Sequence, residues 1–125
     1  MNFRDYPWVW PPAGFIPFDK NGSAALQPGS FVAAVVDIPT RFGGWLTLAG
    51  IELSDFTSAF FQILQGGLPV RDYAQVSVPL GAPETPAVLY VELRPGQPLS
   101  LIYQNNSGGT LAARWRLYGW YYPND

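Results

Sequence analysis

Thirteen glycines and thirteen prolines interrupt this 125-residue chain and leave short runs rich in β-branched and aromatic residues between them. A proline inside a helix removes a hydrogen bond and clashes with the preceding turn; inside a central strand it removes a ladder bond. Punctuation this dense buries apolar surface best as many short strands joined by tight turns, the pattern of an all-β sandwich or barrel. The expected fold is all-β: a single β-sandwich, jelly-roll or a related Greek key, of about eight strands with an extended N-terminal arm. A chain of 125 residues is long enough to hold one such core without disulfides or metals.

The runs can be placed along the chain. "FVAAVVDIP" (31–39), "GWLTLAGIEL" (44–53), "SAFFQILQ" (58–65), "PAVLYVEL" (86–93), "QPLSLIYQN" (97–105) and "TLAARWRLYGWYY" (110–122) read as strands. Only "LSDFTSAFFQIL" competes as a helix, and Phe60, Phe61 and Ile63 favour a strand there. Gly66-Gly67 is a two-residue hairpin signal. Beyond it, Pro69 and Pro79 confine "LPVRDYAQVSVPL" to short edge strands. Arg94-Pro95-Gly96-Gln97 suits a type II turn and Asn105–Gly109 a longer loop, so the last three strands are expected to form a meander. "FDKNGSAALQPGS" (18–30) reads as turn-rich, which divides the chain into an arm and turn over 1–25 and a sandwich over 26–125.

The arm itself, "NFRDYPWVWPPAGF" (2–15), threads Phe3, Tyr6, Trp8, Trp10 and Phe15 between Pro7, Pro11 and Pro12. Disordered tails avoid aromatics because they have no way to bury them. Alternation supplies a second unburied set. In the last strand Leu111, Ala113, Trp115 and Leu117 share the core side, while Arg114, Arg116, Tyr118, Trp120 and Tyr122 share the other. A face mixing arginine with large rings is what interfaces enrich. Each set needs cover, which suggests that one covers the other, within a chain or between chains. The ten residues Phe3, Tyr6, Trp8, Trp10, Phe15, Arg114, Arg116, Tyr118, Trp120 and Tyr122 are therefore the candidate interface. The alternative is a sugar-binding platform of Tyr90, Tyr118, Trp120 and Tyr122.

Catalytic chemistry finds little support. The chain has no histidine and no cysteine, which removes the commonest general base, metal ligand and thiolate together. The carboxylates Asp37, Glu52, Asp55, Asp72 and Glu84 read as solvated acids at turns and strand ends, and Lys20, the available amine base, lies in a turn. Asp19, Asn21 and Ser23 alternate like calcium ligands, but Lys20 intervenes and no bidentate Glu closes the loop. The glycine pairs lack the helix and Lys-Ser of a phosphate loop. No enzyme activity and no cofactor or metal are expected. Only seven scattered Lys and Arg and a net charge of −2 argue against nucleic acid. No membrane segment and no signal peptide are expected. Charged residues make up 13%, against about 25% in typical domains. Uncharged polar groups or neighbouring subunits must therefore cover much of the surface.

Residues 88–123, "VLYVELRPGQPLSLIYQNNSGGTLAARWRLYGWYYP", resemble the end of small β-sandwich structural proteins of tailed bacteriophages. There an apolar strand, a Pro-Gly turn, an L-x-L-x-Y-x-N strand and an Asn/Gly loop precede a last strand ending in Gly-Trp or Gly-Tyr. "LQPGSFVAAVVDIP" and "SAFFQILQGG" fit the same style. The resemblance implies a virion component of the capsid decoration, cement or head/neck fibre type, soluble before assembly. Its partners would be copies of itself and other virion proteins such as the major capsid protein, with a glycan as the alternative ligand.

Overall fold

The computed structural model describes residues 9–11 and 13–123. Among these residues are eight strands: β1 (Ile16–Leu26), β2 (Gly29–Val36), β3 (Phe42–Leu53), β4 (Ala59–Gln65), β5 (Leu68–Pro69), β6 (Ala87–Leu93), β7 (Leu99–Asn105) and β8 (Leu111–Pro123). They form two antiparallel four-stranded sheets, A in the order β1-β8-β3-β6 and B in the order β2-β7-β4-β5. Among the described residues no helix is long and apolar enough to cross a membrane. The all-β sandwich is as expected.

Alternation builds the core. Leu89, Val91 and Leu93 of β6 and Leu99, Leu101 and Tyr103 of β7 are buried, as are Ala113, Trp115 and Leu117 of β8, and all join one cluster between the sheets. Two polar groups inside it are fully served. Asn105 donates from Nδ2 to the Leu26 and Gly109 carbonyls at 3.0 and 2.9 Å, and its Oδ1 accepts from the Ser107 N–H and hydroxyl at 2.9 and 2.6 Å. That side chain shapes the 105–109 loop and ties β1 to β7. The Tyr103 hydroxyl lies 3.1 Å from the Arg114 carbonyl and 3.3 Å from that of Glu52, and burial raises its pKa well above the usual tyrosine value.

The expected turns occur. Gly66 and Gly67, with φ of 61° and 83°, return β4 onto β5. Gly96, with φ of 70°, and the Gln97 N–H to Arg94 carbonyl bond at 3.2 Å close the turn after β6.

Two readings need correction. The last three strands are not a meander: β7 pairs with β2 and β4 in sheet B, while β6 and β8 flank β3 in sheet A. Passing between sheets sets the apolar row of β7 opposite those of β6 and β8, so that these rows cover one another across the core. The stretch 18–30 is also more strand than turn. Asn21 and Gly22 lie mid-strand, opposite Arg116 and Trp115. The long β8 supplies the ladder, and the bare Cα of Gly22 leaves room for the Trp115 indole, which a Cβ would meet at 2.8 Å. Residues 16–25, grouped by sequence with the arm, are thus β1 of the sandwich. The Pro-limited stretch 68–80 pairs at Leu68–Pro69, through single bridges of Val76 to Phe61 and Leu80 to Ile51, and through backbone hydrogen bonds of Val70 and Tyr73 with Ile63.

Candidate functional site

The outward face of sheet A carries the chemistry, arranged as an aromatic end and a charged end. Its aromatic end is built on β3 and β8, where Trp45 lies opposite Trp120 and Leu48 opposite Tyr118. Trp45, Trp120 and Tyr122 form a second buried cluster, separate from the core, with Phe15 packed on it. The Phe15 ring stacks on Trp120 at 5.5 Å between centroids and tilts onto Tyr122 at 5.4 Å. Upstream, the Val9 carbonyl accepts a hydrogen bond from the buried Thr47 hydroxyl at 2.8 Å, and Trp10 meets the Tyr118 ring edge-on at 5.2 Å. Val9, Trp10 and Phe15 therefore lie across their own sheet. Trp10 nonetheless stays 63% exposed. Beyond Tyr118 the cross-strand row continues through Leu48 to Val88, and Val88 and its neighbour Tyr90 are 58% and 48% exposed.

Why β3 tolerates burial on both faces follows from this cover: every residue from Gly43 to Ile51 is buried. A β-bulge between Leu46 and Leu48 shifts the alternation, so that Trp45 and Leu48 both face outward while Leu46 and Ala49 join the core. The Trp45 indole N–H is buried without a hydrogen-bond partner among the described residues.

The charged end is locked internally. Arg114 bonds Glu52 at 2.7 Å and grips both Glu84 oxygens, the second at 3.1 Å. The Arg114 guanidinium holds the Glu84 carboxyl below the usual carboxylate range, and the two carboxylates raise the Arg114 pKa in turn. Arg116 takes Asp19 through Nε and Nη2 at 3.1 and 2.9 Å, and Asp19 raises its pKa. Partial burial, with Asp19 nearby, raises that of Tyr118. Gly50 lets the 82–84 loop sit directly on β3, since a Cβ there would run into the Ala82 carbonyl. That approach delivers Glu84 to Arg114.

The expected interface residues thus divide. Trp10, Phe15, Tyr118, Trp120 and Tyr122 come together at the aromatic end, with Trp120 fully buried in its own chain. Arg114 and Arg116 sit at the charged end, tied to acids of the same chain. Phe3, Tyr6 and Trp8 lie outside the described residues. The alternating Asp19, Asn21 and Ser23 face outward from β1, and the Asp19 carboxylate is taken by Arg116. Sequence reading missed Trp45 and Thr47, because the bulge breaks the period-two signal that would have set their faces.

A second feature is an open cleft of about 1140 Å³ at the sandwich edge, beside β5 and β6. Tyr73, Tyr90, Arg71, Arg94, Asp72 and Glu92 line it. None of these four charged groups forms an ion pair among the described residues. Asp72 holds a left-handed φ of 73°.

Compared with known proteins, the chain matches no protein-family model and no curated sequence.

Proposed function

We propose that this chain is a non-enzymatic structural assembly protein of a tailed-phage virion, of the capsid decoration or cement type, that docks through its N-terminal segment and the aromatic end of sheet A. The observation that carries the reading is Trp10: a large ring held 63% exposed on a folded platform, on the sheet face that also exposes Val88 and Tyr90. Tryptophan is the residue most enriched among interface hot spots, and an exposed apolar patch on a folded surface marks a contact site. Because segment 9–15 is already seated on its own sheet, little ordering entropy is lost when Trp10 is buried by a partner. The strand orders β1-β8-β3-β6 and β2-β7-β4-β5 support reading the sandwich as a jelly roll, a fold that viral capsid domains share. Fold likeness is analogy, and it supports this reading only alongside the exposed surface.

The test is binding to expanded shells of the phage that encodes the chain, prepared without it. The protein should pellet with the shells to saturation, and deleting residues 2–15 should abolish that. Absence of pelleting by the intact chain overturns the proposal.

A glycan-binding role is the second reading, and the cleft moves its place. Trp120 and Tyr122 are buried and offer no platform, whereas the edge cleft presents Tyr73 and Tyr90 beside the charged side chains of Arg71, Asp72, Glu92 and Arg94. Aromatic faces with polar groups around them suit pyranose rings. Binding on an oligosaccharide array that Tyr90→Ala removes is the expected result; silence across the array counts against this reading.

A further inference from the structure

We propose that the free edge of β6, where it lines the open cleft, takes an added strand from another protein, an extended segment that continues sheet A. Sheet A ends at β6 in the order β1-β8-β3-β6, and sheet B ends at β5, which is only Leu68 and Pro69 long. The cleft of about 1140 Å³ runs between the two ends, with Tyr90, Glu92 and Arg94 on one side and the stretch Leu68 to Tyr73 on the other.

Gln65 shows what the edge accepts. Its Nε2 donates to the Glu92 carbonyl at 2.9 Å, and its Oε1 accepts from the Arg94 N–H at 2.6 Å. One carboxamide thus serves two backbone groups of β6 that point away from β3, as the peptide amides of a neighbouring strand would. The N–H and C=O of an extended residue point to the same side of its strand, so the Glu92 N–H faces the cleft along with its carbonyl. Tyr90, two residues back, has no paired residue on β3, because the bulge opposite Leu46/Leu48 leaves Leu89 and Tyr90 outside the ladder.

This chemistry names the occupant. A row of outward N–H and C=O groups is met by another extended main chain, whereas a helix keeps its amides bonded internally and an apolar face offers none. Side chains add a preference. Leu68 and Tyr90 are 72% and 48% exposed, and Arg71, Asp72, Glu92 and Arg94 stand around them. A segment of alternating apolar and polar residues sets its apolar row against Leu68 and Tyr90 and leaves its polar row to the charges and water. Proline is unsuited to it, since each proline removes a donor. Gln65 acts as a latch: its two bonds lie at the surface, where an incoming amide replaces them at small net cost. Covering the edge in this way restrains the pairing with arbitrary chains that an open edge invites. The proposal rests on β6 and Gln65 and does not depend on the capsid reading.

Panning a random dodecapeptide library on the full chain tests it, with enriched peptides synthesised and titrated by fluorescence polarisation. The expected peptides are poor in proline and apolar at alternate positions. In the unmodified chain, their amide NMR titration should shift Tyr90, Glu92 and Arg94 and leave β1 and β2 in place. N-methylating the alternate peptide amides on one side should weaken binding more than ten-fold, and methylating the other set should not. Glu92→Pro removes an outward N–H at an edge position where proline is tolerated, and should weaken binding more than ten-fold. Gln65→Ala removes the latch and should tighten binding about ten-fold. A library that enriches nothing, amide shifts away from β6, or binding indifferent to backbone methylation each overturns the proposal, the last by assigning the cleft to side-chain recognition. Peptide binding by a chain that ignores shells would overturn the docking role and leave the edge site standing. Shell binding without any peptide binding would do the reverse.

Discussion

Removing the Phe15 ring tests whether the N-terminal segment is held by its own sheet. The ring rests on Trp120 and Tyr122 at 5.5 and 5.4 Å and is partly buried. Truncating a buried Phe to Ala costs about 3–5 kcal/mol, and a paired aromatic contact about 0.5–1.5 kcal/mol within that. Partial exposure lowers the figure, so Phe15→Ala should cost about 2–3 kcal/mol, a factor of roughly 30–150 in an equilibrium constant. Most of this belongs to docking of segment 9–15, whose other described anchors are the Thr47–Val9 hydrogen bond and the Trp10–Tyr118 contact. The loss should therefore appear first as local release, ahead of global unfolding. Fluorine NMR of 5-fluorotryptophan-labelled protein reads this directly, because an exposed fluorine shifts between H2O and D2O and a buried one does not. In the unmodified chain Trp120 should show no solvent shift and Trp10 a large one. In Phe15→Ala, Trp120 should gain the shift while the core residue Trp115 does not. A stability change under about 0.5 kcal/mol, within the range of ordinary surface substitutions, with an unchanged Trp120 signal would refute the docking argument.

Other outcomes follow from the same geometry. Asn105→Ala removes the Nδ2 donor to the Leu26 and Gly109 carbonyls and the Oδ1 acceptor of the Ser107 N–H, and the Ser107 hydroxyl remains for Gly109 alone, so urea denaturation should show a loss of about 2–3 kcal/mol. Tyr103→Phe should cost about 1–2 kcal/mol by the same measurement, since only one hydroxyl is lost. The Glu84 carboxyl is depressed by Arg114, so its contribution is present above the ordinary carboxylate pKa and lost as pH falls through the lower folded value. The protection of the 82–85 loop amides, their hydrogen-exchange rates taken relative to the intrinsic rate at each pH, should accordingly fall on acidification, and Glu84→Gln should show the low protection already at pH 7. Gly50→Ala forces the Ala82 carbonyl off β3, and the same exchange experiment should show that loop released at every pH.

Much of the fold was legible because β-strands announce themselves by alternation and by the glycines and prolines that end them. β4, β6, β7 and β8 fall where their apolar alternation puts them, and Gly66-Gly67 makes its hairpin. Strand partnership was not legible, because turn length alone does not say whether a chain returns within its sheet or crosses to the other. The same Arg94–Gln97 turn serves either path, and only the need to face β7 across the core decides it. β1 was hidden because Asn21-Gly22 has turn chemistry, and its strand state is imposed by pairing with β8. At the site, the aromatic face of β8 was readable from alternation alone. Trp45 was not, since the bulge at Leu46/Leu48 resets the faces of β3. The acid partners of Arg114 and Arg116 come from β3, the 82–84 loop and β1, and no local pattern links them.

The central claim, that the chain is a virion assembler docking through the aromatic end of sheet A, is tested most directly by imaging the docked state. A cryo-electron-microscopy reconstruction of shells saturated with the protein should show an ordered sandwich whose sheet A faces the shell, with the Trp10 ring in the contact. Shells without added density, or a sandwich bound with Trp10 and sheet A turned to solvent, would contradict it.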